Sequence, residues 1–168
     1  ESTWTPIALQ RAVNTLLRIP LFATMPVEQL ARLAPAISTQ QAARGDWLIQ
    51  QGQRDPALFV LVRGRAHLLR ISSAGREVLL DILNPGAHAG EMCLIDNQPH
   101  SSSVRCIEGC VWLRVESAPL AACLGSDPRL SYALMHGLVQ RLRRAHRQIT
   151  SLALSGVRER VLDCLLEF

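Results

Sequence analysis

The residues equipped for chemistry cluster between positions 75 and 106. Gly90-Glu91-Met92 sets one carboxylate just after a glycine. Pro99-His100-Ser101-Ser102-Ser103-Val104-Arg105 lines up an imidazole, three hydroxyls and a guanidinium. Ahead of them, Glu77 to Leu83 alternates between Gly75 and the corner Asn84-Pro85-Gly86. This order suits a pocket for a small phosphorylated ligand. An anion is held by inward backbone N–H groups, hydroxyl donors and usually an arginine fork. A ribose hydroxyl needs an acceptor, and Glu91 supplies a carboxylate.

Each of these residues also has a structural reading. Glu91 can satisfy backbone N–H groups at the start of a helix. His100 is either a phosphate donor that depends on protonation or an exposed loop histidine. Ser101, Ser102 and Ser103 are ligand donors or turn residues, with Ser101 the best placed. Arg105 swings toward a ligand or, from a strand position, faces solvent.

Other chemistry finds little footing. The chain has 168 residues, 48% hydrophobic and 19% charged. That is enough for one packed domain with a helical appendage, and too apolar for bulk disorder. No apolar run reaches the roughly 18–20 residues of a membrane helix. The start, Glu1-Ser2-Thr3-Trp4, has neither the basic region nor the apolar core of a signal peptide. A cytoplasmic protein without a membrane partner is expected. The start also lacks a methionine, which reads as a piece of a longer chain.

All 18 basic residues are arginine, so lysine Schiff bases and a phosphate-loop lysine are excluded. There is no nucleophile elbow, H-E-x-x-H or P-loop, and no enzyme is expected. The net charge of +4 permits a polyanionic partner. Cys93, Cys106, Cys110, Cys123 and Cys164 are scattered without a C-x-x-C pair, so neither a disulfide framework nor a zinc site is expected. Buried thiols in a reducing compartment are the reading, with a Cys106–Cys110 redox pair as the alternative. His67, His88, His100, His136 and His146 show no metal-ligand spacing. Haem needs only one or two axial ligands, which leaves His67 or His88 open.

The elements that must position the cluster follow from periodicity. Residues 7–18 form an amphipathic segment closed by Pro20. Thr24 and Pro26 open a helix over 26–36, with Leu30, Leu33, Ala34 and Ile37 at helical spacing. From residue 38 the period becomes two. Strands are expected at 47–50, 58–63, 66–72, 77–83, 104–107 and 111–115, separated by turns at Ala43–Asp46, Gly52–Pro56, Gly64, Ser73–Gly75, Asn84–Gly86 and Glu108-Gly109. Short strands at that spacing indicate an all-β roll or barrel.

Helix then returns. Ser117-Ala118-Pro119 starts a short one ending near Gly125. Asp127-Pro128 starts a long one, with aspartate at the cap and proline at the first position. Leu134, Leu138, Leu142, Ala145, Ile149 and Leu152 follow at spacings of 4, 4, 3, 4 and 3. That is a coiled-coil-like seam; self-association through it is expected, a core helix of the same chain being the alternative. Gly137 would let a second backbone approach, and Arg141, Arg143, Arg144 and Arg147 form a solvated face or assist an approach to DNA. Ser155-Gly156 ends this helix, and Val157 to Phe168 reads as the first piece of a further domain.

Taken together, Leu21 to Phe168 resembles the CRP/FNR-type bacterial transcription regulators. The residues that carry the likeness are Leu21-Phe22 to Leu33, Gly45, Gln51-Gly52, Phe59 to Gly64, Gly75-Arg76-Glu77, Pro85-Gly86 with Gly90-Glu91, and the run from Pro99 to Cys106. The resemblance implies an α+β fold. Its centre would be a cyclic-nucleotide-binding-like antiparallel β-roll, a double-stranded β-helix or jelly roll, flanked by helices and followed by a long C-terminal dimerisation helix. After a helical extension expected at 1–19, it implies an effector-binding roll at 20–126, a dimerisation helix at 127–154 and the start of a winged helix-turn-helix domain at 155–168.

It also implies effector contacts at Gly90, Glu91, Met92, His100, Ser101 and Ser102, with Glu91 on the ribose and Ser101 on the phosphate. The family run has an arginine where His100 stands. A neutral imidazole offers one donor against five and no permanent charge, so cAMP in the usual mode is not expected. The effector is left open among cAMP, cGMP, cyclic di-GMP, some other ligand or none. Implied partners are a second copy, DNA through the domain beyond residue 168, and RNA polymerase. The alternatives are a cyclic-nucleotide domain regulating a kinase or channel, or a haem or redox sensor on the same fold. The iron–sulfur version needs an N-terminal cysteine cluster, and residues 1–92 contain no cysteine.

Overall fold

A computed structural model of the chain describes residues 5–154, so the expected further domain at 155–168 lies outside the described residues. Helix α1 (Pro6–Leu16) is capped by the Thr5 hydroxyl, which accepts from the Ala8 N–H at 3.3 Å. Helix α2 (Val27–Leu33) starts at Pro26, whose extended backbone makes the cap without a side-chain hydrogen bond. The cap expected at Thr24 is therefore not used. Pro35 removes a helical hydrogen bond, and the chain tightens into a 3₁₀ turn over Ala34–Ala36. The single helix expected over 26–36 is split at that point.

Eight strands follow: β1 (Ile37–Ala42), β2 (Trp47–Ile49), β3 (Ala57–Arg63), β4 (Ala66–Ile71), β5 (Glu77–Leu83), β6 (His88–Ala89), β7 (Ser103–Cys106) and β8 (Cys110–Glu116). The six-residue helix α3 (Glu91–Asp96) interrupts them between β6 and β7. The strands form two antiparallel sheets, β1-β8-β3-β6 and β2-β7-β4-β5. The fold is thus α+β with an open β-roll, and of the two outcomes the periodicity allowed, it is not the closed barrel. Strand β1 and the two-residue β6 were not among the expected strands.

Strand β3 is the centre of the roll. Ala57 to Leu61 are all buried, and Phe59 and Leu61 face a core of Ile49, Leu83, Val104 and Trp112. Fully burying one such side chain stabilises by about 1.5–3 kcal/mol. A continuous apolar run serves a strand covered on both faces better than alternation does.

Two helices close the described chain. Helix α4 (Ser117–Ser126) begins directly after β8. Helix α5 (Pro128–Leu154) starts where Asp127-Pro128 predicts, with the Asp127 carboxylate accepting from the Arg129 N–H at 2.8 Å. The chain divides into two compact units between Ala133 and Leu134, inside α5. Among the described residues no helix is long and apolar enough to cross a membrane.

Gly64 holds the β3–β4 corner at φ +91°, and a Cβ there would lie 2.5 Å from the Gly109 carbonyl oxygen and 2.8 Å from Cys110 Sγ. Both the backbone and the space demand glycine. Gly64→Ala should lower unfolding free energy by roughly 2–4 kcal/mol, read from urea denaturation midpoints.

Candidate functional site

The sequence cluster folds into one segment packed on β3. Strand β6 pairs with β3 through Phe59↔Ala89 and Val60↔His88. Around it, Gly86 N–H donates to Leu61 O, and Leu61 N–H donates to Ala87 O, each at 2.8 Å. Gly90 then turns at φ +90°, where a Cβ would meet the Ala57 carbonyl oxygen at 2.4 Å. Only glycine lets the chain pass this close to β3 before α3 begins. Asn97 ends α3 in the left-handed region at φ 55°, a conformation asparagine tolerates.

This route carries Glu91 inside. Its side chain is 2% exposed, and His88 Nδ1 lies 3.4 Å from Glu91 Oε2. An isolated buried carboxylate is costly, and an imidazole partner across one turn reduces that cost. His88, open at first as a haem ligand, is instead the carboxylate's neighbour. Sequence reasoning missed this pairing, although the i, i+3 spacing across a glycine corner was its signal. His67 sits on β4 opposite Arg105 and Ile82, away from His88 in the register. Among the described residues no group of three or more His, Cys, Asp or Glu is arranged to hold a metal ion.

The second half of the cluster is anchored by backbone. His100 N–H donates to Gln53 O, and Gly52 N–H donates to His100 O, both at 2.9 Å. The loop supplying these partners is tied to β8 by Arg114, whose guanidinium reaches Asp55 at 2.7 Å and also pairs with Glu116. The hydrogen bond that Arg114 donates to Asp55 holds the guanidinium above its ordinary pKa, outweighing its partial burial.

The expected loop position of His100 needs correcting in one respect: the ring is buried, only 6% exposed, because its backbone is stitched to residues 52–53. Its Nε2 has no hydrogen-bond partner. Leaving a buried polar group unsatisfied costs about 1–3 kcal/mol, and a ligand acceptor is one way such a group is satisfied.

The serines separate. Ser101 is exposed, and its hydroxyl lies 3.7 Å from Met92 Sδ, joining the two halves of the cluster. Ser102 is half-buried. Ser103 is buried and accepts from the Gln51 N–H at 2.9 Å, a structural use. Arg105 neither swings inward nor stands free. It forms a bidentate pair with Glu77 at 2.8 and 2.7 Å and lies over the Trp47 ring at 4.9 Å. A guanidinium held this way on the sheet's outer side is not available as an anion clasp. An open groove of about 630 Å³ on that side is lined by Trp47, Gln50, Gln51, Ile71, Ser72 and Ser103, and by none of Gly90–Met92 or His100–Ser102.

The remaining sequence-predicted groups are outside this segment. Cys106 and Cys110 are both buried and free, and the Cys110 thiol contacts the Arg65 carbonyl oxygen at 3.2 Å. Burial, and then the neighbouring Cys106 thiol, push Cys110 up to about 11. A thiol held protonated is a poor redox nucleophile. Along α5, Leu134 is only 4% exposed within this chain and Leu138 is half-buried, whereas Leu142, Ala145, Ile149 and Leu152 are exposed. Leu134 is thus a residue of the chain's own interior. Met135 and Val139, which the seam omitted, are exposed.

Comparison with known proteins identifies relatives. A family model described as cyclic nucleotide-binding domain matches residues 39–127. The chain is 26% identical over 152 residues to the CRP-like cAMP-activated global transcriptional regulator of Mycobacterium tuberculosis, covering 90% of this chain and 68% of that protein. It is 27% identical to the catabolite activator protein of Thermus thermophilus, with a TM-score of 0.68 over 80% of this chain and 63% of that one. The N-terminal domain of a transcriptional regulator from Streptomyces coelicolor is 30% identical, with a TM-score of 0.59 over 84% of this chain and 99% of that domain.

Two measurements probe the geometry. His88→Leu should destabilise the fold by about 1–3 kcal/mol in urea titrations, with a smaller loss in a Glu91→Gln variant that keeps a polar partner for His88. Iodoacetamide at about pH 8.5 should modify Cys110 in the urea-unfolded chain but leave it unlabelled in the native chain over the same interval, as mass spectrometry would record.

Proposed function

The chain belongs to the cyclic nucleotide-binding domain family and is of the CRP/FNR type, and from that premise we propose that it is the effector-sensing and self-associating part of a cytoplasmic transcription regulator. The observation that carries this reading is the buried pair of Glu91 and His88 in a segment that Ser101 joins through Met92, together with a buried His100 whose Nε2 lacks a partner. A ligand presenting hydroxyls to Glu91 and an acceptor to His100 makes use of all three. Gly90, Met92, Ser101 and Ser102 complete the proposed contact set.

The residues fit the sugar side of a cyclic nucleotide better than its phosphate side. Glu91 supplies the acceptor a ribose hydroxyl needs. The phosphate would meet the His100 imidazole and the Ser101 hydroxyl, without a guanidinium, because Arg105 is engaged by Glu77 and Trp47. Bidentate arginine contacts to phosphate are among the stronger hydrogen bonds. An effector with lower charge density at this point, or one with additional contacts, suits the site better than cAMP.

Effector binding would act through α5. A ligand that prefers one arrangement of two associated helices shifts the population toward it. In the full-length regulator this repositions a pair of helix-turn-helix domains on two-fold-related DNA half-sites, with RNA polymerase as the further partner. The uncovered lengths of the first two relatives leave room for such a domain. These relatives are regulators, which supports a non-enzymatic role.

Calorimetry with cAMP, cGMP and cyclic di-GMP tests the site. cAMP should bind no tighter than the micromolar range, and His100→Arg should tighten it by roughly 10–100-fold, the effect of about 1.5–3 kcal/mol for a charged hydrogen bond. Sub-micromolar cAMP binding by the unaltered chain would overturn the argument about the missing guanidinium. An unchanged affinity in Glu91→Ala would remove Glu91 from the site.

A further inference from the structure

The groove beside Trp47 is part of a larger recess. It measures about 630 Å³ and runs between Gln50, Gln51, Ile71, Ser72 and Ser73. A second groove of about 580 Å³ runs between Gln40, Gln41, Gly45, Asp46 and Leu48. Trp47 and Gln50 border both, so the two meet at these residues. Each volume lies in the range of small-molecule sites, roughly 300–1,000 Å³. Neither groove is bordered by Gly90–Met92 or His100–Ser102, so the recess is separate from the proposed effector contacts.

The lining has one chemical character. Among the described residues that border the two grooves, Asp46 alone is charged, in a chain that is 19% charged. Its carboxylate already accepts from the Ala43 N–H at 2.8 Å. Glutamine amides and serine hydroxyls make up most of the rest, and each can both donate and accept. Trp47 stands among them 37% exposed, although tryptophan is on average a well-buried residue. Its ring is held in place. Arg105, its cross-strand partner on β7, lies over it at 4.9 Å and is itself clamped by Glu77. The floor is fixed as well. Gln51 Nε2 donates to Ile71 O at 3.2 Å, and Ile71 N–H donates to Gln51 Oε1 at 3.0 Å. One side-chain amide thus ties the end of β4 to the segment after β2. A recess set in advance costs less to occupy than one ordered by its ligand.

We propose that this recess binds a neutral saccharide, with one pyranose ring laid on the Trp47 indole and its hydroxyls met by Gln50, Ser72 and Ser73. A pyranose presents C–H groups on its faces and hydroxyls around its rim. The indole, broad and apolar, suits the faces. Amides and hydroxyls suit the rim, because a sugar hydroxyl also donates and accepts. Other ligand classes fit less well. A phosphorylated or carboxylated ligand meets no cation along either groove, and Arg105 nearby is already matched by Glu77. A purely apolar ligand would strip water from the Gln50 amide and the Ser73 hydroxyl without replacing its hydrogen bonds. The recess continues past Trp47 into the second groove, so a disaccharide uses more of it than a single ring.

Titration of the isotope-labelled 168-residue chain with maltose, cellobiose and trehalose, followed by backbone amide shifts, tests this. At least one sugar should move the Gln50, Gln51 and Ser73 amides saturably, with a dissociation constant below about 10 mM, and leave the Glu91 amide in place. Trp47→Ala should weaken that binding at least about tenfold, and Trp47→Phe, which keeps a flat ring, by less than about threefold. A urea midpoint shows whether Trp47→Ala stays folded. Gln50→Ala combined with Ser73→Ala, both at exposed positions, provides a second variant and should weaken binding about fivefold. No saturable shift with any of the three sugars overturns the inference, as does a shift that persists unchanged in folded Trp47→Ala or in the double variant. Tighter binding of glucuronate or of adenosine than of every neutral sugar also overturns it, and assigns the recess to an anion or to a flat base.

Discussion

The close passage of Gly90 beneath the Ala57 carbonyl is the contact on which the roll and its site depend. At 2.4 Å from that oxygen there is no space for a Cβ, and φ +90° would strain any other residue. The contact lets β6 pair with β3 for only two residues and still turn at once into α3. That abrupt turn delivers Glu91 to the interior rather than to solvent. Strand β3 can bear this because it is itself the best-buried element, with five consecutive residues out of water. Its core contacts with Ile49, Leu83, Val104 and Trp112 lie beyond the site segment, although Ala89 also joins that core.

Around this point the local rules of good packing are broken in a consistent direction. A carboxylate is buried against an imidazole, and a second imidazole is buried with a nitrogen left over. Trp112, in the centre of the core, likewise has an indole N–H without a hydrogen-bond partner. Each such group costs free energy that apolar side chains of the same shape would not. The surrounding clamps are correspondingly strong. Arg114 ties the 52–55 loop to β8, and that loop holds the His100 backbone from both sides. Deviations from local consistency concentrate at functional positions, where the surrounding structure over-determines them.

What was legible in the sequence follows from the range of each signal. Turns built on Gly, Pro and Asp are local, and the strands between them lie within a residue or so of expectation. Asp127-Pro128 started α5 correctly for the same reason. Strand β1, by contrast, reads Ile37-Ser38-Thr39-Gln40-Gln41-Ala42, and its pairing with β8 across some 70 residues makes it a strand. Strand β6 is too short for any period. The glycine corner ahead of Glu91 was legible because Asn84-Pro85-Gly86 and Gly90 are local signals. The burial of His100 was not, because it depends on hydrogen bonds to Gly52 and Gln53 from a distant turn. Arg105 was placed on the right element, but its partners Glu77 and Trp47 belong to two other strands.

The long helix shows a different kind of limit. Leucines at helical spacing mark an apolar face, but the spacing alone does not tell which of them the chain buries itself. Choosing the leucines selected Leu134, which the chain buries itself, and passed over Met135 and Val139, which it leaves out. Under the reading proposed for this helix, association of limited strength would suit regulation, because a ligand shifts an equilibrium by no more than its differential affinity for the two states.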